Sequence, residues 1–352
     1  MKTGLITIHD TVNYGSLLQT IGLYRALQEL NVDVELIDYK NEAISAREST
    51  CPLNECRGIK DYLKWLLFHH ALQTQKDNYW LFLRKHVSLS APYDRNTIKS
   101  CNKDYHSFII GSDIVWSMEI TGHDMTYMLD FAEDSKRKYA FSASVGTKWK
   151  TEDEIDIKNL LSRFEHISVR EHQASTWICE LLNKKAPVTC DPTMLWPGEY
   201  WRELCRKVHK PKRKYVLIYM PDKTTIQDAR NYAKNKGLDL FFMNFYTPVW
   251  GVKSVKPLYV EDWLALIENA DTLFTSSYHG LLFSLYFHTN VFYYNRAYSA
   301  RMKSLSEEMN LGHREATENN IYENIPIDFG YVDKILAQKR NCSWDVLSSY
   351  FK

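Results

Sequence analysis

The sequence of 352 residues has no run of about 18 apolar residues, so no membrane-spanning helix is expected. It has no excess of charge either: 44 basic side chains stand against 43 acidic ones. No global field then draws the protein to nucleic acid, and an anionic ligand must be held by local charges. The seven cysteines (Cys51, Cys56, Cys101, Cys179, Cys190, Cys205 and Cys342) are scattered and odd in number. They include no close CxxC pair and no zinc-type spacing, which points to the cytoplasm as the simplest compartment. There is no GxGxxG, so a dinucleotide is not implied. Lys2 and Thr3 run at once into an apolar stretch, and no signal peptide is expected. Internal repeats and low-complexity segments are also missing.

What is there is a large core and a regular alternation. Hydrophobic residues make up 45% and charged residues 25%, over a length that suits two domains. Gly4–Ile8 reads as a strand, and the polar loop His9–Gly15 follows it. Ser16 then stands as the cap of a helix whose apolar face is Leu17, Ile21, Tyr24, Leu27 and Leu30, before a second strand, Val34–Asp38. This is a βαβ opening. Further strands are expected at Ser107–Ile110, Lys138–Gly146 and His166–Arg170, with helices at about 153–164 and 171–182 between or after them. The basic run 206–214 breaks the pattern and places an interdomain link near 197–214. A second alternating series begins at Tyr215–Tyr219 and ends at the strand Val291–Tyr294. The boundaries are therefore 1–200 for the first domain, 210–330 for the second and 331–352 for a terminal helix that folds back across the link. An aromatic, partly basic stretch at about 45–100 reads either as a helical insertion packed on the first sheet or as an amphipathic hairpin touching a membrane surface.

Ligands of open α/β sheets collect beyond the carboxyl ends of the strands, and the polar clusters fall there. Asp113, after Gly111 and Ser112, is either a general base for a hydroxyl or a helix cap. Arg170 either clamps a carboxylate or phosphate, or pairs with Glu171 or Asp191 inside the protein. Asn13, Tyr14 and Gly15 hold a sugar hydroxyl or shape a turn. His279 sits with Gly280 at the start of an apolar helix, where the first amides carry partial positive charge suited to an anion.

Taken in order, Asn13-Tyr-Gly-Ser-Leu-Leu-Gln19 with Asp38 and Tyr39, Gly111-Ser-Asp-Ile-Val-Trp116, Ser168-Val-Arg-Glu171, Asp191-Pro-Thr193, Ser277-Tyr-His-Gly280 and Arg301 resemble the polysaccharide pyruvyl transferase family. The resemblance spans nearly the whole chain. It implies an α/β fold of two Rossmann-like domains facing across a cleft, GT-B-like, with the acceptor on the first domain and the donor on the second. It implies transfer of a pyruvyl group from phosphoenolpyruvate to two hydroxyls of a sugar, such as galactose in a surface polysaccharide or its lipid-linked precursor, giving a cyclic ketal. No metal or organic cofactor is implied. The expected location is the cytoplasm, at the inner face of the membrane if the contact there is peripheral.

On that resemblance His279 binds the phosphate and relays a proton, Asp113 takes a proton from the attacking hydroxyl, and Arg170 holds the donor carboxylate. Arg301 and Arg296 replace the charge of an arginine that family members often carry where this chain has Ser277. Ser276, Ser277 and Gly280 complete the donor side, and Asn13, Tyr14, Gly15, Ser112 and Glu171 the acceptor side. Ile114 stands where glutamine is common. Two other readings remain open: a glycosyltransferase using a nucleotide-sugar, and a non-catalytic glycan-binding member of the family.

Overall fold

A computed structural model describes residues 1–48, 58–205, 214–245, 249–295, 299–317, 321 and 325–352. The chain divides into two compact units. The first comprises Met1–Ser49, Leu81–Trp196 and Gln338–Lys352; the second comprises Thr50–Trp80 and Pro197–Ala337. The basic run at 206–213, Arg296, Cys51 and Cys56 lie outside the described residues.

The first unit is built on a six-stranded parallel sheet of β1 (Lys2–Ile6), β2 (Asp33–Tyr39), β3 (Leu89–Tyr93), β4 (Ser107–Ile110), β5 (Arg137–Ala143) and β6 (His166–Val169), in the order β3-β2-β1-β4-β5-β6. A parallel sheet is covered on both faces, so its inner strands read as continuous apolar runs. β4 is buried at every position, and Leu5 of β1 lies between Leu36 of β2 and Ile109 of β4. One face of the sheet packs a cluster that includes Ile6, Ile37, Phe108, Trp116, Tyr127 and Phe164.

The second unit holds a five-stranded parallel sheet of β7 (Tyr215–Tyr219), β8 (Asp239–Met243), β9 (Lys253–Val255), β10 (Thr272–Thr275) and β11 (Asn290–Tyr293), in the order β11-β10-β7-β8-β9. β7 is buried throughout, and Val216, Ile218, Phe274 and Phe292 join Tyr232 and Tyr294 in its core. Two Rossmann-like α/β units are the fold class that the alternating pattern leads one to expect.

Two local expectations change. The stretch after residue 58 is one helix, Ile59–His86, and residues 50–80 group with the second unit instead of the first sheet. Asn78 Nδ2 donates to the Leu258 carbonyl at 3.1 Å, and the Lys256 ammonium lies 5.5 Å from the Phe68 ring centre. Second, the helix after β1 is Tyr14–Glu29 and its cap is Asn13, whose Oδ1 accepts from Gly15 N at 2.9 Å and Ser16 N at 3.4 Å. Ser16 is therefore inside the helix. The expected terminal helix is Phe329–Ser349, and its last part, from Gln338, belongs to the first unit. There Ser343 Oγ accepts from Cys190 N at 2.9 Å, Trp344 Nε1 donates to Leu195 O at 3.0 Å, and the Tyr350 hydroxyl donates to Ala140 O at 3.1 Å. Among the described residues no helix is long and apolar enough to cross a membrane, and no disulfide joins the described cysteines.

Candidate functional site

In the first sheet the chain leaves β1 towards β2 on one side and later returns to β4 on the other. The loops after β1 and β4 diverge at that switch, which opens a crevice at the carboxyl ends of the strands. The helix Tyr14–Glu29 starts there, held by its Asn13 cap. Tyr14 is buried at its first position, beside Gly15. Thr7 Oγ1 donates to Ser112 O at 2.8 Å and accepts from Gln19 Nε2 at 3.0 Å, so the β1 and β4 loops are tied together.

Asp113 is the central group. Its φ of 76° places it in the left-handed region, which costs about 1–2 kcal/mol for a residue with a side chain and is tolerated best by aspartate and asparagine. Such a conformation turns the carboxylate back over its own loop. Oδ1 accepts from Ile114 N at 2.9 Å, and Oδ2 accepts a short hydrogen bond from Ser16 Oγ. Asp113 does not cap the following helix: Ser117 caps Met118–Thr121.

Beside it, Ser144 N donates to Asp113 O at 3.1 Å, and Ser144 Oγ donates to Glu171 Oε1 at 2.5 Å. Glu171 is 5% exposed, and its Oε2 is buried with no hydrogen-bond partner among the described residues. Arg170 Nη1 donates to Asp191 in a short contact and to Ser112 Oγ at 3.2 Å, while Nε lies 3.6 Å from Glu171 Oε1. Asp191 in turn uses Oδ1 to cap Pro192–Leu195 through Thr193 N at 2.9 Å. The structure thus realises the internal ion pair at Arg170. Its charge is already opposed by two buried carboxylates, so the expected grip on a donor carboxylate is not what this geometry offers.

In the second sheet the switch lies between β7 and β10. Ser276 N donates to Met220 O at 3.1 Å and joins the two loops there. Ser277 N donates to Thr275 Oγ1 at 3.0 Å, and Ser277 Oγ accepts from Gly280 N at 3.1 Å as the cap of the helix Tyr278–Phe287. Serine at this position is therefore a structural choice as well as a missing cation. A side chain on Gly280 would place Cβ 2.7 Å from Thr275 Oγ1 and 3.2 Å from Ser277 Cβ, so only glycine lets the turn close this tightly.

His279 is 6% exposed on the first turn, edge-on to Tyr278 with ring centres 5.2 Å apart. The Arg301 guanidinium, from the helix Ser299–Glu308, lies 5.7 Å from the Tyr278 ring centre, a cation–π separation. Ser276 Oγ is buried and has no partner among the described residues. Ser276, Ser277, Tyr278, His279, Gly280 and Arg301 are accordingly gathered at one helix start.

For three residues the sequence places the loop but not the role. Ser16 was assigned to a cap and instead serves Asp113; Ser144 orients Glu171; Tyr278 seats Arg301. The signal for Ser16 was the Asn13 three residues before it, which outranks it as a cap. Ser144 and Tyr278 lie in polar stretches after strands, and only their partners, Glu171 and Arg301, are set by contacts distant in sequence. Among the described residues no group of three or more His, Cys, Asp or Glu side chains is placed to hold a metal ion.

The sequence profile of the polysaccharide pyruvyl transferase family matches residues 13–298, from the Asn13 cap to beyond the His279 helix. The chain belongs to the polysaccharide pyruvyl transferase family. It is a transferase enzyme, and a saccharide acceptor goes with that family. No curated protein matches it. Among solved structures it is similar to a putative UDP-N-acetylglucosamine 2-epimerase from Listeria monocytogenes, with 9% identity over 99% of this chain and 91% of that one, at a TM-score of 0.53. The UDP-GlcNAc 2-epimerase from Neisseria meningitidis bound to UDP-GlcNAc shares 9% identity over 96% and 99%, at 0.51. That of Methanocaldococcus jannaschii, in complex with UDP-GlcNAc and UDP, shares 11% over 97% and 93%, also at 0.51. At these identities the likeness is one of fold.

Proposed function

We propose that this pyruvyl transferase moves the pyruvyl group of phosphoenolpyruvate onto two hydroxyls of a hexose, such as galactose in a polysaccharide or its lipid-linked precursor, to form a cyclic ketal. The observation that carries this reading, beside the family itself, is the contrast between the two switch-point clusters. The first holds three buried carboxylates, Asp113, Glu171 and Asp191, against the single guanidinium of Arg170. It suits a neutral acceptor from which protons are withdrawn. The second offers a helix start, an imidazole, a guanidinium and an unpartnered hydroxyl, which suit a trianionic donor.

The step balances without a cofactor, and we propose none. His279 delivers a proton to the methylene carbon of the donor, which leaves an oxocarbenium-like centre at the carbon bearing the phosphate. One sugar hydroxyl adds there as Asp113 accepts its proton. Phosphate leaves with the C–O bond pair, and the second hydroxyl closes the ring and gives its proton to the departing phosphate. Asn13, whose carboxamide oxygen is spent on the cap, offers its NH2 to a hydroxyl, and Glu171 Oε2 accepts from another. Arg170 holds Asp191, Ser112 and Glu171 in place. Arg301 and Ser276 hold the donor phosphate and carboxylate.

The test is phosphate release from phosphoenolpyruvate with a panel of galactosides, mannosides and N-acetylhexosaminides, followed by mass and linkage analysis of the product. A product heavier by a pyruvate ketal supports the reading. Stabilisation by a UDP-sugar and none by phosphoenolpyruvate in a thermal-shift assay would favour a nucleotide-sugar transferase instead. His279→Ala that keeps near wild-type turnover at saturating donor would remove His279 from the chemistry.

A further inference from the structure

Away from the switch point, the first unit carries a cavity of about 370 Å³ that none of the proposed chemistry uses. It lies against the helices Glu154–Leu161 and His172–Leu182, together with the loop that follows β5. Its volume falls within the ~300–1,000 Å³ of small-ligand pockets. Trp177 is half-buried on its wall and packs by one part against the core cluster, while Trp149 is buried beneath, its Nε1 donating to Trp116 O at 2.9 Å. The polar side chains are two of each sign: Lys148 and Lys158, Glu154 and Glu180. Lys148 Nζ donates to Glu180 Oε2 at 2.7 Å.

That lining has a definite chemistry. The balanced charges give no net attraction to an anion or a cation. Ammonium donors and carboxylate acceptors side by side match the alternating donors and acceptors of vicinal hydroxyls, and an indole face matches the apolar C–H face of a hexose ring. The loop that follows β5 carries Ser144, whose hydroxyl orients Glu171 in the acceptor cluster, and continues through Lys148 and Trp149 into this pocket.

We infer that this pocket is a second saccharide subsite, which binds a neutral hexose unit of the acceptor chain remote from the one that is modified. The inference rests on the reading of the protein as a transferase acting on a polysaccharide, and it deepens it: a sugar unit beyond the modified one is recognised at a place of its own. Trp177 supplies the stacking face, and Lys148, Glu180 and Lys158 bond the hydroxyls at the rim.

The test measures binding and turnover separately, with the full chain. Tetrasaccharides of galactan, mannan and poly-N-acetylhexosamine are titrated calorimetrically into the wild type, Trp177→Ala, Trp177→Phe and the surface variant Lys148→Ala/Glu180→Ala. At least one tetrasaccharide is expected to bind the wild type, about tenfold more weakly in Trp177→Ala, with recovery in Trp177→Phe. The double variant, which removes no core contact, is expected to weaken the same binding several-fold. In the phosphate-release assay KM for the long acceptor rises in these variants while kcat and the KM of the methyl glycoside stay unchanged. Failure of every tetrasaccharide to bind, or equal binding by all variants, overturns the inference. Absence of any phosphate release with bound tetrasaccharide overturns the function and leaves the subsite standing, so the two failures are told apart.

Discussion

Replacing Asp113 by asparagine separates the charge of that side chain from its shape. Asparagine tolerates the φ of 76° that Asp113 adopts, so the backbone need not move. Its Oδ1 still accepts from Ile114 N, a bond of 2.9 Å in the wild type. Its NH2 replaces Oδ2 and donates to Ser16 Oγ, which reverses its role and becomes the acceptor. Two charge-assisted hydrogen bonds are thereby exchanged for neutral ones, a change of about 1–2 kcal/mol in stability. A general base contributes on the order of 10²–10⁴-fold to turnover. Asp113→Asn is therefore expected to shift the urea midpoint slightly and to lower kcat for phosphate release at least a hundredfold, about 2.7 kcal/mol in the barrier. Asp113→Ala is expected to lose both effects at once, since it also gives up the Ile114 and Ser16 bonds and strains the left-handed backbone by about 1–2 kcal/mol. Turnover by Asp113→Asn within about threefold of wild type would refute the assignment of Asp113 as the proton acceptor.

Gly280→Ala drives Cβ against Thr275 Oγ1, the atom that accepts from Ser277 N, and is expected to lower stability by about 1–3 kcal/mol in urea unfolding while raising the donor KM. An unchanged midpoint would show that the turn has slack. Burial, then the nearby charges of Arg25 and Lys85, lower the His86 pKa from its ordinary 6.5 to about 4. Between those values the unfolded chain takes up a proton that the folded chain refuses, so stability should fall on acidification from pH 6.5 to about 4. His86→Gln should flatten that limb, and equal slopes in both proteins would contradict it. Ser277→Asp keeps a good cap and adds a negative charge, so donor KM should rise at nearly constant stability; Ser277→Arg loses the cap, at about 1 kcal/mol, and donor KM should fall. If donor KM is the same in both, this helix start does not hold the donor.

What could be read from the sequence was what neighbours along the chain decide. β4 and β7 are legible because a strand covered on both faces is apolar or aromatic at nearly every position, Ser107 at the start of β4 excepted, and their flanking helices follow from period and length. β3 escaped because it is a half-exposed edge strand containing Pro92, and β9 because it is three residues long with Lys253 and Ser254 in it. The stretch at 50–80 was assigned to the wrong sheet because its partners, such as Leu258, are 180 residues away. The helix sequence alone does not say what its few buried side chains, such as Gln75 and Tyr79, pack against.

The same distinction governs the site. The loops were located by their place after strands, and the left-handed Asp113 and the cap at Ser277 follow from short-range geometry. The partner of Arg170 does not. Asp191 comes within reach only because Val188 bridges to Val169 at the end of β6, a contact between segments with a whole helix between them in the chain. That one contact reassigns a cation. Opposed by Asp191 and Glu171, Arg170 belongs to a cluster with three buried carboxylates, where a trianion such as the proposed donor would meet like charge. Two like charges 4 Å apart repel by about 4 kcal/mol at an effective dielectric of 20, more than a single hydrogen bond returns. The proposed function therefore assigns the donor to the helix start at Ser277, where Arg301 lies over Tyr278, and the buried carboxylates to the group that must lose protons, the sugar.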